Sequence, residues 1–138
     1  MRDSFHDDLD GIGTSLVEMG HLVSKAMERA TTALLTADLK VAEEIISEDD
    51  AIDEMQHDIE ARAINLMARQ QPVAGDLRTL VTSLRMSADL ERMGDLAHHV
   101  AKLTRMRYPA AAVPPELVLT LQEMGNVTAR ITQKAIGV

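Results

Sequence analysis

Ala88-Asp89-Leu90-Glu91-Arg92-Met93-Gly94-Asp95 lies inside a stretch, Asp76 to Arg107, that holds no proline and carries apolar residues at helical spacing. The octet therefore reads as helix rather than loop. On that helix Leu77, Leu84, Glu91 and His98 stand seven residues apart and share one face. Glu91 occupies the place where a third leucine is expected, and Asp95 projects beside it one turn later. A carboxylate moved from water into a helix interface is costly unless a cation, a donor network or a metal compensates it, so the acidic interruption marks a candidate site.

Upstream, Ile45, Ile52, Ile59 and Leu66 recur at the same interval on a segment that opens after Asp38, a residue with N-cap chemistry, and runs to about Arg69, with Pro72 as its stop. Asp49 and Asp53 flank Ile52 at i, i+4 spacing, and Gln56 and Glu60 extend the polar stripe. Asp53 precedes Pro72 by nineteen residues and Glu91 follows it by nineteen, so in antiparallel neighbours the two acidic pairs fall at one level. The first segment, Asp3 to Thr36, repeats Leu9, Ile12, Leu16, Met19, Val23, Ala26, Ala30 and Ala33, the seam of a bundle helix. Gly11, Gly13 and Gly20 within it permit close approach of a neighbour. Thr36-Ala37-Asp38 is so short a turn that the helices it joins must be antiparallel. Residues 1–107 thus predict an all-α, antiparallel three-helix bundle.

Residues 108–115, Tyr108-Pro109-Ala110-Ala111-Ala112-Val113-Pro114-Pro115, cannot form continuous helix and read as a proline-rich linker. Residues 116–138 return to bundle spacing with Leu117, Leu121, Met124, Ile131 and Ala135. Leu16-Val17-Glu18-Met19-Gly20 matches Leu121-Gln122-Glu123-Met124-Gly125 at an offset of 105 residues, and Lys25/Arg130 and Ala30/Ala135 keep that register. The expected organisation is one complete three-helix unit followed by the first helix of a second. The apolar face of that helix must pack on the first bundle, dock on another copy or remain poorly ordered.

A chain of 138 residues is the size of one domain, and its core is unusual: no Trp, one Phe and one Tyr, with nine Met among aliphatic residues. This mix favours helix over sheet. The absence of cysteine excludes disulfides, thiolate zinc sites and a cysteine nucleophile, so any metal is held by oxygen or imidazole. No apolar run approaches the roughly twenty residues that span a bilayer, which predicts a soluble chain. The net charge of −8 opposes binding to nucleic acid. Lys102, Arg105 and Arg107 cluster where a helix C-terminus favours cations.

Four converging carboxylates, Asp49, Asp53, Glu91 and Asp95, repel one another, and a cation resolves the repulsion; oxygen-rich ligation suits Mg, Ca, Mn or iron, with zinc also open. His98 or His99 would add a nitrogen. The competing reading pairs these acids with Arg85, Arg92 or Lys102, or leaves them on a solvated face. Glu54-Met55-Gln56-His57 fits the Glu-x-x-His pattern of di-iron bundles, and Asp95-Leu96-Ala97-His98 fits it loosely, but Glu54 and His57 fall away from the Ile52/Ile59 seam and should face water. His6 and His21 read as rim residues. Arg78, Arg85 and Arg92 form a basic stripe expected to bridge to Glu43, Glu44 or Asp50. No P-loop, dinucleotide turn or serine elbow is present.

Asp49-x-x-Ile52-Asp53, then Gln71-Pro72-Val73-Ala74-Gly75-Asp76-Leu77-Arg78, then Leu90-Glu91-Arg92-Met93-Gly94-Asp95 resemble, in order and spacing, the PhoU family of bacterial phosphate-signalling proteins, and are most similar to its actinobacterial members. The resemblance implies a PhoU-like repeat in residues 1–107 and, at 116–138, the first helix of a second repeat, the sequence being either a fragment or a shortened relative, so that the resemblance carries over no acidic motifs of the second repeat. It implies iron or zinc on the motif pairs Asp49 with Asp53 and Glu91 with Asp95. It also implies a non-enzymatic, cytoplasmic regulator that restrains the phosphate-starvation response through the sensor histidine kinase and the ATPase of the phosphate ABC transporter. Such a protein would be a homodimer, with no nucleic-acid partner, and would meet the membrane only through its partners. The alternatives are a carboxylate-bridged di-iron metalloprotein and a purely structural dimerisation module.

Overall fold

A computed structural model describes residues 2–137, with side chains from Ser4 onward; Met1 and Val138, the outermost residues of the expected units, lie outside it. The elements are α1 (Arg2–Thr36), α2 (Leu39–Arg69), α3 (Ala74–Arg107) and, after a short 3-10 turn at Pro115–Leu117, α4 (Val118–Ile136). No strand occurs among the described residues. The chain reverses between α1 and α2 in two residues. Ala37 takes a positive φ of 54°, the Asp38 N–H reaches back to the Ala33 carbonyl at 3.0 Å, and the Asp38 carboxylate accepts from the Val41 N–H at 3.1 Å. One aspartate thus helps to close one helix and caps the next. Pro72 prevents α2 from continuing, and α3 begins at Ala74 with Asp76 in its first turn.

The seams expected on the first two helices are the observed core. Ile12, Leu16, Met19, Val23, Ala30 and Ala33 of α1, and Ile45, Ile52, Ile59 and Leu66 of α2, are buried. On α3 the expectation fails. Leu77 is 42% exposed, while Leu80, Ser83, Ser87, Gly94, Ala97, Ala101 and Thr104 form the buried face. The seam of Leu77, Leu84, Glu91 and His98 instead runs along the flank of the contact. Small residues win the centre because they let the helix axes approach. Their hydroxyls cost little when buried, since Ser83 donates to the Thr79 carbonyl at 2.9 Å and Ser87 to that of Leu84 at 2.8 Å. A Cβ on Gly94 would stand 3.2 Å from both Cδ1 and Cγ2 of Ile52, so α3 meets α2 there almost backbone to side chain.

α4 packs along α1, and it too turns an unexpected face inward. Of the anticipated seam, Leu117, Met124 and Ile131 are 47%, 58% and 61% exposed, whereas Thr132 is buried. A Cβ on Gly20 would lie 2.8 Å from Cγ1 of Ile136, and one on Gly125 would lie 2.6 Å from Cγ2 of Thr31. Gly20 and Gly125, like Thr31 and Ile136, are 105 residues apart. The two contacts therefore exchange under the repeat offset, and α1 and α4 cross antiparallel about a local two-fold, as the halves of an isologous interface do. The apolar side of α4 remains solvent-facing because the small-residue side is the one that permits this close crossing.

The basic stripe also departs from expectation. Arg78, Arg85 and Arg92 are exposed and form no ion pair among the described residues. Glu44 is taken by Arg29 of α1, which also holds Glu48 at 2.9 Å. A cation on the neighbouring helix at the level of Glu44 competes better than one that must reach around α3.

Candidate metal centre

The two acidic pairs meet across α2 and α3. Asp49 sits in the repeating core register of α2, between Ala42/Ile45 and Ile52, and is only 9% exposed. Its Oδ2 lies 2.8 Å from Nδ1 of His98 on α3, whose side chain is 17% exposed. Asp49, Asp95 and His98 bring donor atoms within 4.8 Å of one another. One turn along, Asp53 faces Glu91. The Glu91 carboxyl is pushed above its ordinary value of 4.5, first by burial, then by a hydrogen bond with Asp53, then by the charges of Asp95, Asp53 and Asp49. All four residues named from spacing thus belong to one patch, and none of them is paired with a lysine or arginine among the described residues. The arginine and Lys102 partners of the competing reading do not engage them.

Helix geometry accounts for the convergence. Antiparallel helices with an i, i+4 pair on each set two rungs, Asp53 opposite Glu91 and Asp49 opposite Asp95 and His98. Gly94 between Glu91 and Asp95 lets Ile52 approach, and Ile52 is the residue between Asp49 and Asp53. The apolar contact and the acidic one are consequently adjacent products of the same close crossing. Among the described residues, two buried side-chain polar atoms have no hydrogen-bond partner: Asp53 Oδ1 on α2 and His98 Nε2 on α3. Asp53 belongs to the acidic patch, and His98 meets that patch through its other ring nitrogen, Nδ1.

His98 stood outside the acidic motif pairs, and its places seven residues beyond Glu91 on the same face and one turn beyond Asp95 pointed to it. Of the two adjacent histidines, the structure turns His98 inward and leaves His99 exposed. Glu54 and His57, the literal Glu-x-x-His, are both exposed, as their position off the seam predicted. His21 is exposed, and His6 stands 3.8 Å from Asp76 at the far end of the bundle. No helix among the described residues is long and apolar enough to cross a membrane.

Comparison with known proteins converges on one group. The chain is 45% identical over 135 residues to the phosphate-specific transport system accessory protein PhoU homolog 2 of Mycobacterium tuberculosis, covering 98% of this chain and 63% of that protein. It is 43% identical over 131 residues to PhoU homolog 1 of Mycobacterium leprae, covering 95% and 59%. The crystal structure of PhoU from Pseudomonas aeruginosa superposes with a TM-score of 0.85 at 30% identity, over 96% of this chain and 63% of that one. That of the phosphate transport system regulatory protein PhoU from Streptococcus pneumoniae gives 0.84, also at 30% identity, over 96% and 61%. The chain therefore spans about three fifths of the length of these relatives. The pattern defining the PhoU domain matches residues 16–104, which contain both acidic pairs and the crossing that joins them. By sequence and by architecture alike, this chain belongs to the PhoU family.

Proposed function

We propose that this chain is a non-enzymatic regulator of phosphate transport whose acidic centre takes a cation, iron or zinc, on Asp49, Asp53, Glu91 and Asp95. The observation that carries the metal reading is a patch of four carboxylates that no lysine or arginine neutralises among the described residues, in which Asp49, Asp95 and His98 bring donor atoms within 4.8 Å of one another and the buried Asp53 Oδ1 has no hydrogen-bond partner. Buried polar atoms are normally satisfied, and an ion would both satisfy Asp53 Oδ1 and relieve the mutual repulsion of the carboxylates. A mixed set of carboxylate oxygens and imidazole nitrogen suits iron(II) or zinc better than magnesium or calcium, which prefer oxygen alone. When bound, the ion would supply the positive charge the patch lacks. The residues themselves would do the rest: Asp49 and Asp53 would present oxygens from α2 and Glu91 and Asp95 from α3, with the donor atoms of Asp49, Asp95 and His98 already within 4.8 Å of one another.

The regulatory reading draws on the relatives, which are named accessory proteins of the phosphate-specific transport system. In it the chain works in the cytoplasm as a homodimer and restrains the phosphate-starvation response when phosphate is plentiful. It does so by contacting the transporter ATPase and the sensor histidine kinase. Two experiments test the proposal. Protein purified without chelator should carry metal that a variant with alanine at positions 49, 53, 91 and 95 lacks; equal metal content removes the centre. The chain should capture the cognate ATPase or kinase in a phosphate-dependent pull-down, and capture of neither removes the regulatory role.

A further inference from the structure

Resting on the regulatory reading above, we propose that the outward face of α3 is where a partner protein docks, and that the partner meets it with an amphipathic helix carrying carboxylates at seven-residue intervals. On the other helices the described arginines are already engaged: Arg29 holds Glu44 and Glu48, Arg62 holds Asp58, Arg69 holds Asp8 and Arg130 holds Glu123. On α3, Arg78, Arg85, Arg92, Arg105 and Arg107 form no ion pair among the described residues. The chain does not lack acids, with 22 against 14 lysines and arginines. Asp89 even stands four residues after Arg85 and three before Arg92, where pairs on one helix commonly form, and it engages neither. The positive charge of this face is therefore left for something outside the chain.

Arg78, Arg85 and Arg92 are exposed and stand seven residues apart, about 10.5 Å per step and about 21 Å in all. Leu96 and Leu103 continue the same line of helix surface and are 51% and 50% exposed. The face is thus basic toward the Pro72 end and apolar beyond Arg92. A second helix laid along it at the shallow angle of bundle packing keeps every seventh residue in contact, so carboxylates at that interval meet one arginine after another while apolar residues further on cover the leucines. The guanidinium fork matches a carboxylate, and arginine is enriched where protein interfaces gain most of their energy. A phospholipid surface fits less well, because it draws in clustered cations and aromatic anchors. Here the arginines are strung along a line, the chain carries a net charge of −8, and it has no Trp.

The test measures binding of the intact chain to the cognate transporter ATPase and to the cytoplasmic region of the sensor kinase, at low and high salt. Combining Arg78→Glu, Arg85→Glu and Arg92→Glu should weaken binding about tenfold or more and reverse its salt dependence. Combining Lys25→Glu, Lys40→Glu and Lys134→Glu, the same change of charge at exposed sites on the other helices, should leave affinity within about twofold, since it moves only the long-range field. Circular dichroism checks that both variants keep their helicity. A photo-crosslinker at position 89, between Arg85 and Arg92, should capture a helical partner segment with acids seven residues apart; capture of a neutral or basic segment overturns the proposal. Equal binding by the arginine variant and the parent overturns the α3 face and leaves the regulatory reading standing. So does loss, in that variant, of binding to phosphatidylglycerol vesicles alone, which assigns the stripe to a lipid surface. A parent chain that binds neither protein overturns both readings.

Discussion

Along one bundle the core changes character. Toward the Phe5 end it is built from large side chains, Phe5, Ile12, Leu16, Met19, Ile59, Leu66 and Leu80. Toward the α1–α2 turn it is built from Ala30, Ala33, Ala42, Ala97 and Ala101 around Ile45. The first half gains stability from the apolar area that large residues remove from water, the second from drawing helix backbones together. The acidic centre stands at the changeover, where Ile52 of the first half rests on Gly94 and Ile45 of the second lies one turn from Asp49. The contrast locates the site: the two acidic pairs face each other where large core residues give way to glycine and alanine.

Three substitutions probe this contrast. The largest effect belongs to the large-residue half. Ile59 is fully buried, and Ile59→Ala should cost about 2–5 kcal/mol in urea unfolding, from lost transfer energy and the cavity left behind. Ala97→Leu, in the other half, should cost about 1–3 kcal/mol because the extra volume has nowhere to go. If it costs nothing, the alanine half is not close-packed and the contrast collapses. The smallest effect is at the boundary. Because the folded-state pKa of Glu91 is raised, its contribution to stability is fully present below the ordinary 4.5 and is lost as pH rises through the folded value. In chelator, the parent's melting temperature should fall through that window. Glu91→Gln should flatten the profile and be the more stable form at neutral pH. An identical slope in both would mean that the facing carboxylates, Asp53 and Asp49 of α2 and Asp95 of α3, do not act on Glu91.

The fold was readable where burial uses large residues at regular intervals, as on α1 and α2. The spacing pointed elsewhere on α3 and α4, where the buried positions are Ser83, Ser87, Gly94, Ala97 and Thr104 on α3 and Thr132 on α4, beside the close approach at Gly125. Hydropathy gives such positions little weight, so Leu77 and Ile131 attracted the assignment although both are exposed. The level at which the two acidic pairs face each other was readable as well. A carboxylate on an apolar seam stands out in any sequence, and equal distances from Pro72 placed Asp53 opposite Glu91.

What the chain's residues determined alone was local: helix periods, the Asp38 cap, the proline stops and the acidic pairs on α2 and α3. These depend on neighbours within a turn or two, which spacing records directly. The tertiary structure decided which side of α3 and of α4 is covered, that His98 rather than His99 turns toward Asp49, and that Glu44 pairs with Arg29 rather than with the α3 arginines. Each of these depends on the distance and rotation between two helices. Those quantities belong to the pair, set by where glycine, alanine and serine let backbones approach, and no single helix carries them in its own sequence.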